Sequence, residues 1–396
     1  MAKAPIIPPR TCPFDPPELM AELREREPVA KVTLWDGREV WLITKYDDAY
    51  AVLRDQRTSD DSTNPGFPSL SPGRPVPIVK RSFSRMDGRM HARLRTMVTP
   101  EFSAARVARL RPAIQRFVDQ QVDHLLATER PADLVAEYAQ PISTTVLSDV
   151  IGIPRDQVAF YLRHSETLVS RTRNTKYTWS ADGEMIEALD ALVTEQEREP
   201  GDHLIGRLVV DEVRRGRLSH DELVRMIHLL IVAGYENPAN MIGLGALSMM
   251  MDPEWFKAIS TRDGRLPYLV EELLRYHTVA SHDGAPRVAA EDMTFGDVTI
   301  KAGEGIVVYL ASANRDDEVF PKADTLDLTR DARRHLAFGH GVHMCVGRFL
   351  ARAQLEISLS TLGARIPSLR LAVPIEELPF REDMHSYGVH KLPVTW

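Results

Sequence analysis

The sequence predicts a mostly helical protein with a minor β portion. The strongest sign of helix is the segment 219–251, which is apolar on nearly every face beyond its first two turns and stops before Asp252-Pro253. A helix of that length would extend roughly 48 Å and cross the whole molecule. Strand-like alternation is confined to two short stretches, residues 31–44 and 285–309. Helix therefore dominates the predicted fold.

Local signals define the individual elements. Residues 31–44 predict a hairpin because an Asp36-Gly37 turn separates two β-rich arms. Ser219-His220-Asp221-Glu222 is a capping box that begins the long helix. Residues 62–77 are rich in Pro, Gly and Ser and predict a loop. Further helices are predicted over residues 47–55, about 90–97 and 106–127, and over stretches of residues 133–215 that break at Pro141, Pro154 and Pro200-Gly201.

The composition is that of an ordinary globular protein. The chain has 396 residues, of which 43% are hydrophobic and 27% are charged. No linker rich in Gly, Ser or Pro separates two self-contained patterns. We therefore expect a single domain over residues 1–396, with residues 1–20 as an extended, proline-rich lead-in.

Charge and cysteine content argue against several classes of protein. A formal net charge of −7 argues against nucleic acid as the main partner. Two cysteines, Cys12 and Cys345, do not make a disulfide scaffold and fit a reducing compartment. No stretch has the apolar character and length of a signal peptide or a membrane span. We expect a soluble, cytoplasmic monomer that does not bind membranes.

One of the two thiols lies in an unusual setting. Cys345 belongs to the run Phe338-Gly339-His340-Gly341-Val342-His343-Met344-Cys345-Val346-Gly347, directly ahead of an amphipathic helical pattern over residues 348–356. The unpaired N–H groups and the dipole of a helix N-terminus favour thiolate over thiol. Glycines let the backbone fold closely around a bulky partner, and a thiolate is a strong, soft ligand for iron.

Other interpretations of Cys345 stay open on these residues alone. A solitary Cys is most often a small buried hydrophobe. His340 and His343 are close enough in sequence to suggest zinc, although structural zinc sites usually contain several Cys or His in paired spacings. A nucleophilic Cys would need a base and an oxyanion site, and no protease-like signature surrounds this one.

The long helix carries a break in its middle. Pro238 has no N–H, so the carbonyl of Gly234 loses its normal partner and the helix should open or kink there. Glu236 and Asn237 stand in that gap. A harmless proline kink is the simpler interpretation, but a buried carboxylate without a partner is costly, which favours a functional role for Glu236.

These segments together resemble the cytochrome P-450 superfamily. The Cys345 segment matches every fixed position of that family's haem-thiolate loop, Phe-Gly-x-Gly-x-His-x-Cys-x-Gly. Residues 233–237 are similar to the oxygen-activating helix, Ala-Gly-x-(Asp/Glu)-Thr, except that Asn237 stands at the threonine position. Glu272-Leu273-Leu274-Arg275 and the later residues 314–330 resemble the Glu-x-x-Arg helix and the meander that follows it. The resemblance runs from the early hairpin to Trp396 and fits the soluble bacterial branch.

The resemblance implies a fold and a cofactor site. The fold would be a single-domain, roughly triangular helical prism, with haem b between the long central helix and the Cys-ligand loop. Cys345 would be the axial ligand of the haem iron. The other cofactor-binding residues that it implies are His91, Arg95, Arg287 and His343 at the propionates, with Phe338, Gly339 and Gly347 in the loop. The remaining roles that it implies are a structural charge network of Glu272, Arg275 and Arg330, and an oxygen side organised by Glu236, Asn237 and Gly234.

The resemblance also implies an activity, that of a haem-thiolate monooxygenase acting on O2 and a small natural product. Electrons would come from an external ferredoxin or flavodoxin with its reductase, because the chain has no glycine fingerprint for a dinucleotide. Seven arginines between Arg85 and Arg111 would form part of the docking surface for that carrier. Two alternatives remain. One is oxidative C–C or C–N coupling of aromatic or tryptophan-containing cyclodipeptide substrates, which Asn237 suggests; the other is a haem-binding sensor or carrier without turnover.

The substrate pocket is the least defined part of this interpretation. By the family's architecture it would be lined from residues 62–84, 168–179, 226–237, 279–285 and 384–389. The candidate pocket residues within these stretches are Ser281, His282, Asp283 and Tyr387. The first three are more polar than a lipid substrate would need, which favours a substrate with amide or hydroxyl groups.

Overall fold

The computed structural model describes residues 7–71, 82–261, 264–280 and 284–396. Helix dominates these residues, which confirms the predicted fold class. The helices are α1 Glu18–Arg26, α2 Tyr46–Arg54, α3 Gly88–Val98, α4 Ala104–Ala127, α5 Gln140–Ile151, α6 Val158–Leu168, α7 Thr175–Arg198, α8 Leu204–Leu208, α9 His220–Gly234, α10 Glu236–Met251, α11 Pro253–Ser260, α12 Leu266–His277, α13 Leu310–Ala313 and α14 Arg348–Arg365.

The strands form small sheets at the periphery of the helices. They are β1 Val29–Thr33, β2 Glu39–Ile43, β3 Thr58–Ser59, β4 Ala132–Asp133, β5 Ala285–Ala289, β6 Met293–Phe295, β7 Val298–Ile300, β8 Gly305–Val308, β9 Arg370–Leu371 and β10 Pro393–Thr395. The sheet orders are β1-β2-β8-β5-β3, β4-β10-β9 and β6-β7. The two strand-like stretches of the sequence therefore share one sheet, because β2 pairs in parallel with β8.

The predicted hairpin is confirmed. β1 and β2 pair antiparallel, with Lys31 opposite Trp41. Gly37 in the connecting turn has a φ of 90°, a conformation that glycine adopts without the strain a side chain would add. The hairpin packs one face into a small core that includes Leu34, Leu42 and Val307.

One predicted helix break is wrong. The chain does not break at Pro141, because a wide π-type turn over Val135–Ala139 runs directly into α5 and Pro141 takes the second position of that helix. A proline in the first turn of a helix is tolerated, since its missing N–H is not needed there. The breaks at Pro154 and at Pro200-Gly201 are confirmed: α5 ends at Ile151, and α7 ends at Arg198.

The central helix forms as two segments, α9 and α10, that meet at Tyr235. The capping box is present: the Ser219 hydroxyl accepts from the Glu222 N–H at 3.2 Å, and the Glu222 carboxylate accepts from the Ser219 N–H at 2.9 Å. At the break, the Ser143 hydroxyl of α5 donates to the carbonyl of Tyr235 at 2.6 Å. A side chain from a neighbouring helix thus satisfies a backbone group that the break releases.

Most of the described apolar core surrounds this broken helix. Nearly every residue of α10 is buried, and α10 packs against α5, α11 and α14. α14 begins directly after the Cys345 loop, so the packing of α10 on α14 fixes the loop relative to the break. None of the helices in the described ranges combines the length and the apolar character that a membrane span would need.

A buried hydrogen bond ties α10 to α12. The Ser248 hydroxyl and Nε2 of His277 are 2.8 Å apart, and both residues are buried. Burial, reinforced by the nearby positive charges of Arg315, Arg10 and Arg275, lowers the pKa of His277 to about 3. His277 is therefore neutral in the folded protein at neutral pH.

Because the folded pKa of His277 lies below its unfolded value, the unfolded chain binds the extra proton first, and folding loses stability as the pH falls. We expect His277 to remove roughly 2–3 kcal/mol of stability between pH 6.5 and pH 4. Urea unfolding of the wild type and of His277→Gln over this range measures the difference. The variant should be less stable at neutral pH but less sensitive to acid, and equal slopes with pH would contradict this assignment.

Candidate active site

A cavity of about 380 Å³ is bounded by the broken central helix and by the loop that carries Cys345. Its walls are mostly apolar. The helix contributes Leu230, Ala233, Gly234, Asn237, Pro238 and Met241, and the loop and α14 contribute Phe338, Gly339, His340, His343, Cys345, Val346, Gly347 and Leu350. Gly234 and Asn237 thus share one cavity with Cys345.

The glycines of the Cys345 loop are required by its backbone. Gly339 and Gly341 have φ values of 68° and 72°, in the left-handed region. A Cβ on Gly341 would also lie 2.3 Å from the carbonyl oxygen of Leu53. The N–H of Cys345 donates to the carbonyl of Phe338 at 2.9 Å, which closes the loop on itself. The sequence pattern therefore holds one thiol in a fixed place.

The Cys345 thiol is surrounded by protein but exposed to the cavity. Burial raises the pKa of this thiol above its ordinary value, whereas the Gly347 N–H and the guanidinium groups of Arg95, Arg348 and Arg352 act in the opposite direction. The expectation that a helix N-terminus favours the thiolate is therefore wrong for the protein without a bound cation, because burial has the larger effect on the pKa. A cation bound at the sulfur is what would hold the buried group as a thiolate.

Cationic and imidazole groups gather at another part of the cavity. Arg95, Arg287 and His343 line it, and the His91 ring stacks on that of His343 with 4.1 Å between centroids. Nε2 of His91 is buried and has no hydrogen-bond partner among the described residues. Burial, with the nearby charges of His343 and Arg95, lowers the pKa of His91 to about 4. The structure thus brings together the four residues predicted at the propionates.

A buried carboxylate that the sequence analysis did not identify joins this group. Asp60 accepts from Arg287 at 2.8 Å and from Arg85 at 2.9 Å, and its other oxygen is 3.3 Å from Nε2 of His343. Asp60 is 2% exposed, so all three contacts are in the protein interior. Nothing in the sequence near Asp60 signals this role, because its partners come from distant segments.

These residues fit a haem. Apolar walls suit the macrocycle, a single thiol suits the iron, and Arg95, Arg287 and the unpartnered Nε2 of His91 suit two carboxylates that need buried cations and donors. The described residues hold no group of three or more His, Cys, Asp or Glu side chains arranged for a metal ion. His340 instead stacks on Tyr50, with 4.1 Å between ring centroids.

The three residues predicted on the oxygen side have different surroundings. Gly234 and Asn237 line the cavity, but Glu236 is not among its lining residues. Glu236 is 4% exposed and forms an ion pair with Arg381, whose Nη2 lies 2.9 Å from Oε2. At Gly234 a Cβ would come within 2.4 Å of the Leu147 side chain. A glycine is therefore needed for the close contact of this helix with α5.

The side chain of Asn237 is held at both ends. Its Nδ2 donates to the carbonyl of Ala233 at 3.0 Å, and its Oδ1 accepts from the Ser386 hydroxyl at 2.6 Å. Ser386 and Arg381 both belong to the C-terminal segment 381–388. Neither partner was identified from the sequence, since both lie far along the chain from the break.

The predicted charge network is assembled around Glu272. Nε and Nη2 of Arg275 donate to the two Glu272 oxygens at 2.7 and 2.8 Å, and Arg330 donates to Oε1 of the same carboxylate. Arg275 also donates to the carbonyls of Asn314 and Ala323. These bonds tie α12 to the segment that leads to the Cys345 loop, and Glu272 and Arg275 are fully buried.

The candidate pocket residues are only partly placed. Ser281, His282 and Asp283 lie outside the described residues. Tyr387 is not among the residues that line the cavity; its hydroxyl donates to the carbonyl of Pro13 at 2.8 Å. His385, two positions earlier, does line the cavity. Of the five stretches predicted to form the pocket, residues 168–179 contribute nothing to this lining in the described part of the chain.

Substitutions at Glu236 and Arg381 test whether this buried ion pair stabilises the folded protein. Arg381→Met leaves a buried carboxylate without its arginine, which we expect to cost about 3–5 kcal/mol of folding free energy. Glu236→Gln/Arg381→Met should recover most of that loss, because the buried charge is then gone. Urea unfolding midpoints of the wild type and the two variants measure both changes, and a double variant no more stable than Arg381→Met would show that the pair is not coupled.

The chain is similar to known proteins in both sequence and fold. A sequence model described as Cytochrome P450 matches residues 155–363. Cytochrome P450-SU2 of Streptomyces griseolus is 44% identical over 386 residues, covering 97% of this chain and 94% of that protein. The structure of mycinamicin VIII C21 methyl hydroxylase from Micromonospora griseorubida, bound to mycinamicin VIII, matches with a TM-score of 0.93 at 37% identity, covering 98% of each chain. Cytochrome P450 TxtC, described as performing sequential aliphatic and aromatic thaxtomin hydroxylation, matches with a TM-score of 0.91 at 37% identity, covering 97% of this chain and 100% of that one.

Proposed function

Because this chain belongs to the cytochrome P450 family, we propose that Cys345 binds the iron of haem b and that the enzyme hydroxylates a small natural product. As a member of that family it is a haem-thiolate monooxygenase that uses O2 and electrons from a redox partner. The observation that carries the proposal is the lone Cys345 thiol, which shares an apolar cavity with Gly234 and Asn237 of the broken helix. We further propose a single haem domain and a soluble, cytoplasmic, monomeric protein.

Bound haem supplies the redox chemistry that cleaves the O–O bond of O2 and inserts one oxygen atom into a substrate. The protein supplies the surroundings. Cys345 would bind the iron, and the Gly347 N–H and nearby arginines would moderate the charge on its sulfur. Arg95, Arg287, His343 and His91 would bind the propionates, with Asp60 orienting Arg287 and His343.

The rest of the described cavity lining is mostly apolar and offers few polar groups. Leu230, Val279 and Leu274 give an apolar surface, while Asn237 and His385 add polar atoms at restricted positions. Such a wall suits a mainly apolar substrate that also carries hydrogen-bonding groups. The two similar hydroxylases, one bound to mycinamicin VIII and one acting on thaxtomin, support a natural product as the substrate.

The experiment begins with the spectrum of the purified protein. The reduced CO complex should show the red-shifted Soret band of a thiolate-ligated haem in the wild type and in Cys12→Ser, and Cys345→Ser should lose it. Cys12 is the matched control because it is the other cysteine of the chain. Loss of the band in both variants, or in neither, would contradict Cys345 as the ligand.

The substrate class and the reaction follow from a second step. The ferric protein is titrated with macrolide, aromatic, terpene and cyclodipeptide compounds, and those that shift the haem towards high spin are incubated with a surrogate ferredoxin, its reductase and NADPH. We expect a product that gains one oxygen. Loss of hydrogens or a dimer would instead indicate oxidative coupling, and no consumption of reductant with any compound would indicate a haem-binding sensor or carrier.

We propose that the redox partner is an external ferredoxin or flavodoxin that docks outside the Cys345 loop. A groove of about 1000 Å³ there is lined by Phe338 and Met344 of the loop and by charged residues, which are Arg333, Arg334, Arg348, Arg352, Asp47, Glu271 and Glu356. Among the described residues, Arg334 and Arg348 of this groove have no acidic partner within ion-pairing distance. These two arginines are therefore free to attract an acidic carrier.

The arginines from Arg85 to Arg111, which the sequence analysis predicts for docking, are less suited to bind an acidic carrier than the groove is. Most are already paired: Arg85 with Asp60, Arg93 with Glu222, Arg106 with Glu101 and Arg111 with Glu356. Arg89 and Arg109 remain exposed. The groove beside the Cys345 loop is therefore the more suitable docking surface for the carrier.

Charge reversal in the groove tests this docking surface. We expect Arg334→Glu to slow reduction by an acidic ferredoxin about tenfold at low ionic strength, with the difference shrinking as salt is added. Stopped-flow reduction measures the rate. Arg370→Glu, an exposed reversal on β9, is the control and should behave like the wild type; equal effects of the two variants would rule out a specific role for the groove.

A further inference from the structure

The orientation of the Asn237 amide follows from its partners. The carbonyl oxygen of Ala233 can only accept a hydrogen bond, so the amide atom 3.0 Å from it must be the nitrogen. The amide oxygen is then the atom 2.6 Å from the Ser386 hydroxyl, which donates to it. A flipped amide would place two acceptors against each other at Ala233. The chemistry of the two partners thus permits one orientation.

One N–H of Asn237 remains to be accounted for. The amide nitrogen carries two hydrogens, and one is donated to Ala233. Within residues 7–71, 82–261, 264–280 and 284–396 the side chain makes no other hydrogen bond, and the residue lines the cavity. The second N–H is therefore available to a molecule inside the cavity, whereas the oxygen already accepts a hydrogen bond from Ser386.

Ser386 is itself held firmly in place. It is 3% exposed, and its two neighbours are anchored by their backbone: the His385 N–H donates to the carbonyl of Val169, and the Tyr387 N–H donates to the carbonyl of Val279, each at 2.8 Å. These bonds fix the Ser386 backbone on both sides. The hydroxyl is thereby kept within hydrogen-bonding reach of the Asn237 amide.

We propose that Ser386 is a positioning residue that locks Asn237, so that the amide presents one fixed N–H donor to the oxygen side of the haem cavity. This inference rests on the proposed function for the statement that the cavity holds haem. A hydroxyl at position 237 would rotate and both donate and accept, whereas the locked amide only donates from this side. Ser386 acts through Asn237, without contact with the reacting atoms.

Carbon monoxide on the reduced haem is a direct probe, because its infrared stretching frequency responds to a hydrogen-bond donor beside it. The proteins compared are the wild type, Asn237→Ala, Ser386→Ala and the conservative Ser386→Thr. Ser248→Ala is the matched control, since it also removes a buried hydroxyl hydrogen bond of the same helix but at its far end. Each variant is first checked for the thiolate-type Soret band of its CO complex.

We expect a single narrow CO band in the wild type and a shifted band in Asn237→Ala. Ser386→Ala should broaden the band and move it towards that of Asn237→Ala, because the released amide samples several orientations. Ser386→Thr and Ser248→Ala should retain the wild-type band. An unchanged band in Ser386→Ala would overturn the positioning role, and an unchanged band in Asn237→Ala would overturn the donor itself.

These outcomes are separate from failure of the proposed function. Without a thiolate-ligated haem, the wild type itself would lack the red-shifted Soret band, and no CO measurement would be interpreted. With that band present in all five proteins, the infrared comparison concerns only Ser386 and Asn237.

Discussion

The break in the central helix is the constraint on which the active site depends. Pro238 cannot donate a backbone hydrogen bond to the carbonyl of Gly234, α9 and α10 meet at Tyr235, and the Ser143 hydroxyl donates to the Tyr235 carbonyl at 2.6 Å. The break also places two polar side chains, Glu236 and Asn237, in the protein interior, where each needs a partner. The segment 381–388 supplies both, through Arg381 and Ser386. The break and this segment therefore stabilise each other.

Charge complementarity governs the opposite side of the cavity. Burial keeps the pKa of the Cys345 thiol high despite three nearby arginines, so the group is suited to bind a cation and poorly suited to be a free thiolate. Elsewhere in the same cavity, Arg85 and Arg287 share the carboxylate of Asp60, and His343 lies within ion-pairing distance of Asp60 and Asp87. A cofactor with an iron centre and two carboxylates would supply a cation to the thiol and negative charge to these basic groups.

Sequence predicted the features whose determinants are adjacent in the chain. The Asp36-Gly37 hairpin, the Ser219 capping box and the glycine-rich Cys345 loop are local, so their residues could be interpreted together. The break predicted at Pro141 is wrong because a π-type turn runs directly into α5 and leaves the proline in the first turn of that helix. Ser386 was missed because it lies 149 residues from Asn237 and only the fold brings them together. The same reason applies to Asp60 and Arg381.

The structure gives different surroundings to two adjacent residues of one helix, Glu236 and Asn237. Successive residues point about 100° apart around a helix axis, so when Asn237 faces the cavity Glu236 does not. Turning Glu236 towards the cavity would break a buried ion pair with Arg381, at a cost of about 3–5 kcal/mol. At the break the cavity is therefore lined by the Asn237 amide and not by the Glu236 carboxylate. Arg381, which pairs with the carboxylate, lies in the same segment 381–388 as Ser386, which donates to the amide. One short C-terminal segment thus keeps the Glu236 carboxylate in the interior and the Asn237 amide at the cavity wall.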